Sequence, residues 1–86
     1  MPEVCRFFGI IIRMYFDEHV PPHFHAIYGD EQVLIHIENM SIIAGFLSPR
    51  ALGLVVEWAS LHKSELLQEW ELAEAKQPLF EIDPLK

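Results

Sequence analysis

The sequence predicts an α+β fold: a mainly antiparallel sheet of three to four strands over residues 4–46, packed by one long or kinked C-terminal helix over residues 49–76 and followed by an extended tail. Three observations predict it. β-branched and aromatic residues with period-2 alternation crowd the first half of the chain. Ser48-Pro49 is a helix start, because serine suits the N-cap and proline loses nothing at the first helical position. From there an apolar pattern of helical period runs until Pro78 stops it. With 86 residues, 51% of them hydrophobic, the chain supports one core, so residues 1–86 are expected to form a single domain.

Residues 4–16 (VCRFFGIIIRMYF) read as one strand, or as two around Gly9, since glycine enters positive φ freely and permits a bulge or tight turn. The segment DEHVPP, residues 17–22, then interrupts the pattern, because neither proline can donate a ladder hydrogen bond. His23–Tyr28 and Glu31–Ile37 flank Gly29-Asp30, a two-residue loop suited to a tight hairpin. Counting outward from that turn sets Tyr28 opposite Glu31, Ile27 opposite Gln32, His25 opposite Leu34 and His23 opposite His36. Phe24, Ala26, Tyr28, Val33, Ile35 and Ile37 then form a core face, and the histidine face is expected to be the wetter one. Met40–Phe46 returns as a short strand ending near Gly45.

Along the helix, Leu52, Val55, Val56, Ala59, Leu66, Leu67, Trp70 and Ala73 share one stripe, which is expected to cover the sheet. Leu54, Trp58, Leu61 and Leu72 fall on nearly the opposite side and are the candidate interface residues. Either the tail, with Leu79, Phe80, Ile82 and Leu85, or another chain must cover them. A break near His62-Lys63-Ser64 is the alternative to a single helix. Glu65, Glu69, Glu71 and Glu74 read as a solvated helix face.

The net charge of −7 repels phosphate backbones, so nucleic acid is disfavoured as a partner. The apolar run Phe7–Ile12 is far shorter than the roughly 20 residues that span a bilayer, and Arg6 and Arg13 close it. No secretory signal pattern is evident, and the lone Cys5 reads as a buried small hydrophobe rather than half of a disulfide or a CxxC pair, so the expected location is the cytoplasm.

The most unusual local feature is EHVPPHFH, residues 18–25, which gathers His19, His23 and His25 beside Asp17 and Glu18. His23 and His25 lie two apart on a strand, so their Cα atoms are roughly 6.5 Å apart on one face, a span compatible with a shared metal. Cross-strand His36 is closer still to His23, at about 5 Å. His19, His23 and His25 are the candidate metal ligands, with a divalent ion such as zinc as the implied cofactor. Three nitrogens with water would form a catalytic type of zinc site, with Asp17 or Glu18 as a further ligand or general base. The competing readings are a structural His-Pro turn and a metal-free surface in which a histidine works as acid or base. Arg13 and Tyr15 share one face of the first strand; beside the hairpin they would add an anion-binding cation and a hydroxyl donor to the same patch.

Several of these segments together resemble the domain-of-unknown-function 4160 family of small bacterial proteins: Arg13-Met14-Tyr15-Phe16, His19 with PPHFHAIYG (21–29), GFLSPR (45–50), LVVEWA (54–59), His62 with Glu65-Leu66, Trp70 and IDPL (82–85). The resemblance spans nearly the whole chain, and the His-Pro-Pro-His-Phe-His core is its most specific piece. It implies a compact sheet-plus-helix protein and no established reaction. Such members often look like one half of a two-gene pair, similar to toxin–antitoxin modules. His19, His23 and His25 match the motif, and the resemblance gives them no role. The first functional reading is therefore a cytosolic interaction module, resembling the toxin-like member of such a pair, that works as a homo-oligomer or with a small protein partner. The rivals are a metal protein or hydrolase centred on His19, His23, His25 and perhaps also His36, and a nuclease-like use of paired histidines that the acidic balance opposes.

Overall fold

In the computed structural model, which describes residues 3–86, five strands come first: β1 (Glu3–Phe7), β2 (Ile10–Arg13), β3 (His23–Tyr28), β4 (Glu31–His36) and β5 (Ile42–Phe46). They form one sheet in chain order, each strand antiparallel to the next. The count exceeds the three or four expected because the first segment folds back on itself. Phe8 and Gly9 both adopt positive φ, 50° and 80°, and make a tight turn between β1 and β2. The hairpin register around Gly29-Asp30 is the one read from the sequence, from Tyr28↔Glu31 to His23↔His36.

Cys5, Phe7, Ile10, Ile12, Phe24, Ala26, Val33 and Ile35 line the buried face of the sheet. Tyr28, placed by alternation on the same face, is instead exposed at the strand end. Burial pushes the Cys5 thiol up to about 11, which leaves it an inert core group, as expected.

The helical half divides near His62, where the sequence offers a break as its alternative to a single helix: α1 (Pro49–Leu61), which packs Trp58 on this face, and α2 (Lys63–Glu74). The break falls at His62, whose φ of −123° leaves the helical region and whose N–H turns to the Ala59 carbonyl. Ser48 occupies the N-cap position of α1, but its hydroxyl makes no cap bond; it donates to the Glu31 carboxylate of β4 instead. α2 ends with Lys76 in the left-handed region, where Lys76 N–H reaches the Ala73 carbonyl and Gln77 N–H the Leu72 carbonyl, the closing pair of a Schellman motif.

With the helix broken at His62, the second apolar stripe does not exist as a continuous face. Trp58 is fully buried, with its ring 5.4 Å from that of Phe7 and 6.2 Å from that of Phe24. Its indole N–H donates to the Asp83 carbonyl, and Ile82 N–H donates to Val4. The tail thus covers its own domain, and Trp58 is a core residue rather than an exposed anchor. Leu54 and Leu72 are half-buried; Leu61 is exposed. Among the described residues no helix is long and apolar enough to cross a membrane.

Glu69 also departs from its expected solvated place. It is fully buried, with one carboxylate oxygen accepting from Phe80 N–H and the other without a partner. Burial raises its pKa to about 7 from 4.5, against the pull of the Phe80 N–H and with a further push from Glu65. Between these values the fold holds a proton that the unfolded chain has lost, so stability falls as pH rises from about 4.5 to about 7. The loss should approach roughly 3 kcal/mol at pH 8. Urea unfolding at pH 5 and pH 8 should show this difference in the wild type and little of it in Glu69→Gln.

Candidate metal centre

Period-2 alternation sends Phe24 and Ala26 of β3 toward α1 and sends His23 and His25 to the opposite face. There, Arg13 of β2 stands across from His25, and His36 of β4 across from His23. This face is not wet at the histidines: His23 is 6% exposed and His25 8%. The loop between β2 and β3 lays Glu18 over both rings. The Trp70 ring of α2 packs 5.2 Å from His23, and the Tyr15 ring meets His25 edge-on at 4.7 Å.

The hydrogen bonds assign one proton to each ring. His23 Nδ1 lies 2.8 Å from the Pro21 carbonyl, which only accepts, so Nδ1 carries a proton. Its Nε2 is buried and makes no hydrogen bond, with Glu18 Oε1 3.3 Å away. His25 Nδ1 accepts from the Gln32 side-chain amide at 3.0 Å, which leaves His25 Nε2–H to donate to Glu18 Oε1. Burial alone would raise the Glu18 carboxyl, but the His25 hydrogen bond and the attraction of both imidazoles hold it below its ordinary value.

One ligand atom from each of Glu18, His23 and His25 lies within 4.8 Å of the other two. Two imidazole nitrogens and one carboxylate are a donor set used for zinc with an open coordination position. The second shell fits as well, since a ligating histidine commonly donates its other N–H to a carbonyl. His23 does this to Pro21; His25 would do it to the Gln32 side-chain amide, through the amide oxygen, once Nε2 gives up its proton to a metal.

The proposed ligand set from sequence therefore changes by one member. His19 is exposed and stands outside the group, while Glu18 takes the third place. His36 is in register with His23, but its Nδ1 accepts from Glu38 N–H, and it too lies outside the group. Tyr15 joins through its ring rather than its hydroxyl. Arg13 is half-buried with an unpartnered Nε and stands in register with Glu3, whose carboxyl is held low by the Arg6 hydrogen bond first and by Arg13 in smaller part. Three supporting groups were missed: the Pro21 carbonyl, Gln32 and Trp70. The hairpin register held the signal for Gln32, which sits diagonal to His25 on the same face.

A family model described as Domain of unknown function (DUF4160) matches residues 9–71, and the chain belongs to that family. No curated protein and no solved structure matches the chain.

Proposed function

We propose that this member of the domain-of-unknown-function 4160 family binds a divalent metal such as zinc through His23 Nε2, His25 Nε2 and a Glu18 oxygen. One observation carries the reading: the buried His23 Nε2 makes no hydrogen bond and stands 3.3 Å from Glu18 Oε1, in one cluster with His25. A buried nitrogen without a partner is costly, and a cation bound by it and by the carboxylate would satisfy both. A metal held by these ligands would supply a Lewis acid and activate a bound water, so hydrolysis is the reaction class that follows. Glu18 would ligate through a carboxylate oxygen.

Calorimetric titration of tag-free protein with zinc should give one equivalent bound. At a hundredfold excess over Kd the gain is about 2.7 kcal/mol, which for a domain of this size raises the melting temperature by roughly 10–20 °C. His23→Ala and Glu18→Gln should each abolish the gain, and cobalt substituted for zinc should give a visible absorption band that both variants lose. Less than about one-tenth equivalent of metal, with no thermal shift, sinks the reading.

A second reading rests on a different surface. The sheet face opposite α1 carries half-buried Ile11, Ile27 and Leu34 and the exposed Phe46. A small protein partner covering this face would make the chain an interaction module, in keeping with the toxin-like half of a gene pair. The net charge of −7 favours protein over nucleic acid there. A lone thiol suits a reducing compartment, and the cytoplasm is the location we propose. Phe46→Glu should abolish pairing without unfolding; a wild-type monomer that captures no partner counts against it.

A further inference from the structure

At the other end of the sheet from the histidines, Phe8, Ile10, Tyr28, Ala51 and Leu54 line a cavity of about 460 Å³, within the range that holds a small organic ligand. Arg50 and Ser48 complete its wall. The Ser48 hydroxyl and N–H are both spent on the Glu31 carboxylate. Arg50 makes no ion pair among the described residues, although the chain holds 13 acids against six Lys and Arg. The wall is thus apolar with one free positive charge.

The rim is strained. In the tight turn between β1 and β2 both central residues must be left-handed, a demand usually met by asparagine or glycine. Here Phe8 takes the first place with φ of 50° and is 60% exposed. A phenylalanine in that conformation sacrifices stability and buries little in return, which is the pattern of a residue held for a ligand rather than for the fold.

We propose that this cavity binds a small amphipathic carboxylate, with the apolar body against Phe8, Tyr28 and Leu54 and the carboxylate on Arg50. The site is separate from the histidine centre and does not depend on it. The shared chemistry, a carboxylate on an apolar body, belongs equally to a free acid and to a peptide C-terminus. Sodium decanoate and the peptide acetyl-Ala-Leu-Phe distinguish the two sources.

Titrating ¹⁵N-labelled protein with decanoate should shift the amides of Phe8, Tyr28, Ala51 and Leu54. Decanol should bind at least roughly tenfold more weakly, because it lacks the charge that Arg50 recognises. Arg50→Gln should erase the difference between decanoate and decanol. Phe8→Asn should raise the melting temperature by several degrees and weaken decanoate about tenfold, the two effects separating the turn's strain from its use. Tighter binding of the peptide than of decanoate would assign the cavity to chain termini. Equal affinity for decanoate and decanol, shifts mapping elsewhere, or Phe8→Asn gaining stability with binding intact would each overturn the proposal.

Discussion

Trp58→Ala should cost about 3–5 kcal/mol of stability, the range for removing a buried tryptophan. The ring is fully buried, packs on Phe7 and Phe24, and lies 5.4 Å from the ring of His62 at the helix break. A cavity of that size joins both sheet and helices, and neither can collapse into it without moving the other. Small domains hold only about 5–15 kcal/mol in total, so the melting temperature should fall by roughly 15–30 °C. Trp58→Phe separates packing from hydrogen bonding. It keeps most of the apolar contact and loses the indole N–H to the Asp83 carbonyl, a bond worth about 1 kcal/mol. Its signature should be local: faster hydrogen exchange at Ile82 N–H, which ties the tail to Val4. If Trp58→Ala melts within a few degrees of wild type, the indole is not a core residue, and the exposed-anchor reading of the sequence returns.

The register of the central hairpin was legible because it depends on local chemistry alone. A Gly-Asp loop of two residues sets the count, and period 2 then assigns every side chain a face, so Phe24 and Ile35 fall inward with His23 and His25 opposite. Burial of those histidines was not legible, because what covers them comes from elsewhere: Glu18 from a loop whose backbone path no periodicity describes, and Trp70 from far along the chain. The same loop decides that Glu18 turns in and His19 turns out, although the sequence offers both side by side. Glu69 misled for a related reason. Among Glu65, Glu71 and Glu74 it looks solvated, and only the returning tail, with a Phe80 N–H in need of an acceptor, gives its carboxylate a buried place. The helix wheel failed at His62, since a break rotates everything beyond it and removes Leu72 from the stripe of Leu54 and Trp58.

Gly45→Ala should cost about 3 kcal/mol or more, and its effect should reach the candidate metal centre. Gly45 of β5 has φ of +86°, where any L side chain is strained by roughly 1–2 kcal/mol. A Cβ there would lie 2.2 Å from the Gln32 carbonyl oxygen and 3.0 Å from Val33 Cα, both backbone atoms of β4. Backbone in a paired strand cannot swing aside as a side chain can, so the β4–β5 ladder must open. All five residues of β5 are exposed, so the strand should detach while the rest of the fold persists, and the urea m-value should fall with it. Gly29→Ala is the control: φ is +61° but nothing lies within 4 Å, leaving only the backbone strain. Gln32 is also the residue whose side chain holds His25 Nδ1, so displacing its backbone loosens the ring that would present Nε2 to a metal. Loss of such a supporting group typically weakens metal binding 10- to 100-fold. Zinc affinity should therefore drop in Gly45→Ala and hold in Gly29→Ala. Equal stability of the two variants would show that β4 has room for the methyl group, and equal zinc affinity would show that Gln32 does not position His25.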